Sequence, residues 1–421
     1  RDEQDRLRHT EASGAVKAHV LLEPDIPGDV AGDHLEVDWD ERREVERLLL
    51  EGNASLSRAG ESLTADRVAA VREATGGGWE LTATGTVFAQ GSLGGQPAWI
   101  RSERLDATVD RTRQLRSAIA QGRVRFEAPA TRAEADRAEF HPTAEGGEVH
   151  LFAAAGRKAR LAREQTRVAA ETIRSDLAGR RLDAEQRVEA TLMPVENRGA
   201  GGADGLFRDG QAVHFVSEKL VGENSGERLV FSGGVRGWQG ERNLSADRIE
   251  MRRSTHSLSA RGGVTTRAPR EADGGALGES DYVQIAADQL DYDGVSRLAT
   301  YRGGARVTLV EGWLEADRIE VRLSPDEGGV TEVWAFDDVR IEFSDPERSD
   351  RTEIIAGAAD RVSYLPADRS VRLFGDDAPA TVRRLGPQGA TTSGRVLRYQ
   401  LDVGTLEVES GQPAPARIRG R

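Results

Sequence analysis

Apolar and polar residues alternate along most of this chain in runs of strand length, and the alternation repeatedly slips by one place beside an acidic residue. In WLEADRIEVRL, Trp313 to Leu323, Leu314 and Ala316 share one parity, while Ile319, Val321 and Leu323 share the other. Successive side chains of a strand point to opposite faces, so the slip predicts a bulge or corner at Asp317-Arg318, after which the apolar set turns to the other face.

The string recurs. Close copies are LTADRVAAV from Leu63, LSADRIEMR from Leu244, IAADQLDYD from Ile285 and AGAADRVSYL from Ala356. Looser ones are AGDHLEVDW from Ala31, IRSERLDATV from Ile100, AEADRAEF from Ala133, VAAETIRSD from Val168 and FVSEKLVGE from Phe215; TSGRVLRYQL from Thr392 has lost the acid. Successive acids lie roughly 29 to 47 residues apart, the range of repeat architectures.

A second element follows each copy, as in LTATGTVFA from Leu81, AIAQGRVRF from Ala118, LDAEQRVEA from Leu182, LSARGGVTT from Leu258 and LATYRGGARVTL from Leu298. Both halves of the unit read as strands, about twenty in all. Glycine within the second strand, as at Gly122 and Gly303, signals a bulge or tight bend. In DYDGVSRL, Asp293-Gly294 between alternating runs predicts a tight hairpin turn with positive φ. Ala159 to Leu192 has the composition of a helix, yet it carries both halves of the unit in order, and the repeat predicts strands there.

Insertions at Val195 to Gly210, Arg267 to Asp281 and from Gly91 fall after the second strand and before the next acid strand, so they should project from one edge. The expected organisation is a polar segment at 1–24, a first unit at 25–194, a Gly-rich linker or loop at 195–210, a second unit at 211–410 and a tail at 411–421.

Composition narrows the picture. The 421 residues are 38% apolar and only 5% aromatic, so the core must be built from Val, Leu, Ile and Ala. A net charge of −13, with no basic block longer than three residues, excludes nucleic acid as a partner. Cysteine is absent, which excludes disulfides, thiolate metal sites and thiol nucleophiles. No apolar run approaches the roughly 20 residues that span a bilayer.

Catalytic signatures are missing: no phosphate-binding P-loop, no G-x-S-x-G elbow and no H-E-x-x-H zinc motif. The seven histidines, at positions 9, 19, 34, 141, 150, 214 and 256, never pair at metal-ligand spacing, so neither a metal nor a cofactor is expected. The repeated acid reads as structural, accepting hydrogen bonds from turn or bulge amides.

The ordered series of Ala-Asp-Arg strands and Gly-x-Val strands, from about Gly32 to Val408, resembles the OstA-like family of the lipopolysaccharide export system, which includes LptA, LptC and the N-terminal domain of LptD. The resemblance implies an all-β fold of repeated antiparallel strands, forming one long or two stacked open β-jellyrolls, like a folded taco. It also implies an apolar groove that carries lipopolysaccharide or a related glycolipid across the periplasm without catalysis. Partners would be other export components added at free strand edges, and further copies joined end to end. The start RDEQDR suits an LptC-like chain whose inner-membrane anchor lies outside this sequence.

Inward candidates for lining the groove are Val68, Ile249, Met251, Leu290, Tyr292, Ile319, Val321, Val339, Ile341 and Phe343. Each could equally fill a core, and a structural β-solenoid or protein-interaction module of the envelope with a packed interior is the rival reading. An acidic chain cannot hold an anionic glycolipid mainly by charge, whereas burial of acyl chains at about 0.8 kcal/mol per CH₂ suffices.

Overall fold

In the computed structural model all regular elements of the described residues are β-strands, the first His9–Glu23 and the last Thr405–Glu409. The structure describes residues 8–409 except 24–25, 43, 59, 74–77, 94–95, 112–113, 144–145, 195–206, 208–209, 270–281, 310–311, 325–329, 345–353, 386–388 and 401–404. The expected linker at 195–210 therefore lies outside the described residues, apart from Phe207 and Gly210, as does the tail at 411–421.

Most strands that follow one another in sequence pair antiparallel, and every pairing among the described residues is antiparallel. Arg242–Arg252, which carries Asp247, pairs with Arg228–Gln239 on one side and Ser257–Pro269 on the other. The helix-like stretch is strand throughout, in Ala159–Arg163, Thr166–Ala170, Thr172–Asp176 and Arg181–Leu192. Cross-strand burial of Leu161, Val168, Ile173 and Ala184 overrides local propensity there. The polar start is also part of the sheet, since His9–Glu23 pairs with Ile26–Trp39. The chain packs as two compact units, residues 1–190 with 219–226, and 191–218 with 227–421.

The slip in alternation marks a corner. Opposite each acid, the neighbouring strand holds one extra residue: Ala286 pairs with Arg306 and Gln289 with Arg302, leaving Gly303, Gly304 and Ala305 opposite Ala287 and Asp288. Two successive residues with positive φ absorb the extra length, at Gly52-Asn53, Gly122-Arg123, Gln186-Arg187, Gly233-Gly234, Gly262-Gly263, Gly303-Gly304 and Asp337-Asp338.

At each corner the acid sits outside. At three corners the second bulge residue reaches back to the acid: Asn53 to Asp33 (3.2 Å), Arg123 to Glu103 (2.6 Å) and Arg187 to Glu171 (2.6 Å). Where a loop replaces the bulge, the acid caps that loop. Asp136 accepts from the Ala154 amide, and Asp360 accepts from the amides of Asp376, Asp377 and Ala378, which hold its pKa below the usual carboxylate value.

The apolar set does not turn to the other face, as the alternation had suggested. Leu314 and Ala316 before the corner, and Ile319, Val321 and Leu323 after it, are all buried, while Asp317 and Arg318 are the more open residues between them. Two consecutive outward positions bend the strand and keep one interior side throughout. Each strand therefore contributes to two walls: residues before the acid line the first, residues after it the second.

Side chains meet across the space between the walls. In the first unit Phe126, on the first wall, lies 5.4 Å from Phe140 on the second. In the second unit Phe215 stacks on Phe231 at 4.4 Å, and the Thr266 hydroxyl hydrogen-bonds the Tyr301 hydroxyl at 3.0 Å. Burial pushes the Tyr301 phenol up to about 12, so its proton stays in place between the walls.

The turn at Asp293-Gly294 differs from expectation. Its strands end at Asp293 and resume at Leu298, and the positive φ falls on Arg297. The Asp293 carboxylate caps the four-residue loop through the amides of Val295 and Ser296. Glycine is required at 294 for close approach instead: a Cβ there would lie 2.4 Å from the His256 carbonyl oxygen.

On the outer face of the second wall Glu250 is gripped by Arg228 through two bonds of 2.9 Å and by Arg252 at 3.0 and 3.1 Å. The hydrogen bonds from Arg228, then those from Arg252, lower its pKa from 4.5 to about 2. A depressed carboxylate stabilises the fold above its unfolded pKa, and the contribution is lost as pH falls through the folded value. After allowance for solvent screening it amounts to about 1–2 kcal/mol. Urea titrations should show wild type losing that much more than Glu250→Gln between pH 4.5 and pH 2; parallel losses would refute the assignment.

Candidate functional site

The space between the walls is the candidate site, and it is built from rows of side chains that run across the strands. Beside the corner on the second wall stand Val68 in the first unit and Ile249, Leu290 and Ile319 in the second, each 0% exposed, and Val339 holds that place on the first wall of the second unit at 1%. Each second-wall member lies two residues after an acid, where the strand has just bent and the walls are nearest. Val68 marks the closed apex of the first unit, and the other four mark that of the second.

The remaining candidates lie one or two inward positions further out. Tyr292 and Val321 on the second wall and Ile341 on the first are buried, whereas Met251 and Phe343 are half-buried. The candidates thus divide into a sealed seam and a more accessible outer set. Nothing in the alternation separates them, because both sets share the inward parity.

The interior is not filled evenly. In the second unit Phe215, Phe231 and Tyr301 occupy the middle and are almost fully buried. Between the strands Val45–Arg58 and Gln96–Val109 of the first unit, inward positions near the corner such as Ala54, Val68 and Ala83 are buried, but several further out are half-buried: Leu56, Ala89 and Ile100 on the first wall, Leu81, Ala107 and Val109 on the second. Pairing places them in continuous rows, with Leu56 opposite Leu63, Leu63 opposite Ala89 and Ala89 opposite Ile100, while Leu81 lies opposite Ala107. Sequence reasoning drew only Val68 from this unit. The signal was present, since Leu81 and Ile100 open two of the repeat strings, but their half-exposed setting depends on the small neighbours Ala89 and Ala107 across the strands.

Polar groups enter the interior of the first unit around Arg163. Arg163 ends a first-wall strand, and its guanidinium donates to the Thr131 hydroxyl (3.1 Å), the Ser175 hydroxyl (3.3 Å) and the Asp176 carbonyl (3.1 Å). Ser175 and Asp176 end a second-wall strand, so Arg163 clasps the tips of both walls. Burial pulls the guanidinium pKa below its ordinary value.

Residues 284–405 match the family described as LptA/(LptD N-terminal domain) LPS transport protein. This stretch is similar to that family. The matched stretch contains seven of the ten candidates: Leu290, Tyr292, Ile319, Val321, Val339, Ile341 and Phe343. Among solved structures, the chain is similar to LptH of Pseudomonas aeruginosa, described as the LptA homologous periplasmic component of the conserved lipopolysaccharide transport device. The likeness has 17% identity and a TM-score of 0.27, over 32% of this chain and 90% of that one. No curated protein matches the chain in sequence.

Among the described residues no helix is long and apolar enough to cross a membrane. The acids Asp33, Asp66, Glu103, Asp136, Glu171, Glu218 and Asp247 repeat the corner of the matched stretch in the residues that precede it.

Proposed function

We propose that the chain is a non-enzymatic, lipopolysaccharide-binding bridge component of the periplasm, which passes the lipid through the apolar space between its walls towards the outer membrane. The observation that carries this reading is the pair of facing apolar rows, open enough around Leu56, Leu81 and Ile100 to leave these side chains half-buried. Acyl chains would lie along the rows, with sugars and phosphates outside, since apolar transfer alone binds them. Met251 and Phe343 are the groove residues of the second unit, and the apex row beneath them is the floor.

Free strand edges supply the docking points. His9–Glu23 pairs only with Ile26–Trp39, and Thr405–Glu409 only with Val396–Gln400, among the described residues. Unpaired edge amides and carbonyls invite strand addition by other export components or by a second copy.

Photocrosslinking tests the whole reading. A photoreactive residue at Ile100 or Met251 is expected to capture lipopolysaccharide in cells, and one at Ala12 on the free edge to capture a protein. Capture of no lipid from either interior position, with the chain correctly localised, would overturn the proposal. The filled middle of the second unit around Phe215, Phe231 and Tyr301 favours a second reading, an envelope scaffold with a packed core. Native mass spectrometry separates the two, because the scaffold copurifies without lipid.

A further inference from the structure

His141 and His150 show no metal-ligand spacing in sequence, but the fold brings them together. Strands Thr131–His141 and Glu148–Phe152 form a hairpin in which Glu139 lies opposite His150 and His141 opposite Glu148. Their neighbours Ala138, Phe140, Val149 and Leu151 are buried in the interior, so the four alternate residues share the outer face. The imidazole rings of His141 and His150 are 4.9 Å apart at 55°. Ligand atoms of Glu139, His141 and His150 all lie within 4.8 Å of one another.

The surroundings favour convergence. His141 Nε2 is 3.3 Å from Glu139 Oε2, and His150 Nε2 is 3.2 Å from Glu148 Oε2. Arg137 holds the other oxygen of Glu139, Oε1, at 2.6 Å, which fixes the carboxylate with Oε2 turned to the histidines. The His150 and Glu139 side chains are only 18% and 20% exposed, so two of the donors are already largely out of solvent.

We propose that this hairpin binds one divalent transition-metal ion of the zinc class, through His141, His150 and Glu139, with Glu148 or water as fourth ligand. Two imidazoles and a carboxylate suit a borderline cation, whereas calcium and magnesium prefer all-oxygen sites. Zinc bonds of about 2.0–2.2 Å place tetrahedral ligand atoms roughly 3.3–3.6 Å apart. Closing from the observed 4.8 Å limit needs only side-chain rotation. The ion would tie both strands of the hairpin together on the face away from the lipid space, so the site is independent of the transport reading.

The test uses the full chain after chelator treatment, titrated with zinc chloride by calorimetry at neutral pH, with cobalt absorption as a second readout of tetrahedral geometry. One saturable site is expected, with a rise in melting temperature on zinc addition. His150→Gln and His141→Gln should each weaken it about 100-fold or more, and Arg137→Ala about 10-fold, as for loss of an outer-shell partner. Both glutamines sit on an outer strand face, and circular dichroism confirms that each variant is folded. Absence of saturable zinc binding by wild type, or undiminished binding in both histidine variants, would overturn the proposal.

Discussion

Gly303→Val is expected to lower stability by about 2–4 kcal/mol, although position 303 is exposed and makes no core contact. Two causes add. The backbone there has φ of +82°, which a β-branched residue adopts only under strain, and a Cβ would lie 2.6 Å from Asp288 Oδ2 and 2.8 Å from Asp288 Cβ. Gly304 is the built-in control: its φ is +56°, and a Cβ there meets nothing within 4 Å. Gly304→Asn should therefore cost less than about 1 kcal/mol, since asparagine tolerates the left-handed region. Combining Gly303→Ala with Asp288→Ala should recover about 1 kcal/mol relative to the sum of the single changes, because the alanine at 288 removes the overlap with the carboxylate while the contact with Cβ stays. Equal urea midpoints for Gly303→Val and Gly304→Asn would sink this account of the corner.

Phe231→Ala should be the most costly single truncation in the second unit, at about 3–5 kcal/mol. Phe231 is 0% exposed and stacks on Phe215 at 4.4 Å with 17° between the planes, so its removal leaves a cavity shared by both walls. Phe215→Ala opens the same cavity, and the double variant should cost less than the two singles added. Ile100→Ala, at a half-buried position of the first unit, should cost only about 1 kcal/mol, because little of that side chain is sealed from water. Denaturation midpoints of the four proteins decide the matter. Similar losses for Phe231→Ala and Ile100→Ala would mean that the two interiors are packed alike, and the contrast between filled and open stretches would fall.

The repeat strings, the all-β class and the corner at the acid were legible in the sequence because each rests on local pattern: alternation, a parity slip and a glycine on the next strand. The direction taken after the corner was not. Whether Ile319 and Leu314 face one interior or two depends on how many residues the neighbouring strand inserts, and that count belongs to the pairing of Arg302 with Arg318 and Ala305 with Ala316. Bulge residues such as Gln186-Arg187 and Asp337-Asp338 also escape a glycine search, since their positive φ is imposed by the ladder around them.

The candidate site was legible only as an inward parity. Sequence reasoning placed Ile249 and Met251 in one set, whereas the fold makes the first an apex residue and the second an outer one. The pairing of His141 with His150 was out of reach for a different reason: it follows from the register of the hairpin, which puts Glu139 opposite His150.

The Arg163 clasp has a consequence for traffic through the first unit. Where the wall tips stand apart, the interior is a trough, and a lipid could enter or leave sideways. Hydrogen bonds from one guanidinium to Thr131, Ser175 and Asp176 join the rims, so at that point the trough becomes a short tube. On the proposed reading, a lipid whose headgroup rides outside the walls cannot pass this polar lintel and must leave the first unit before it.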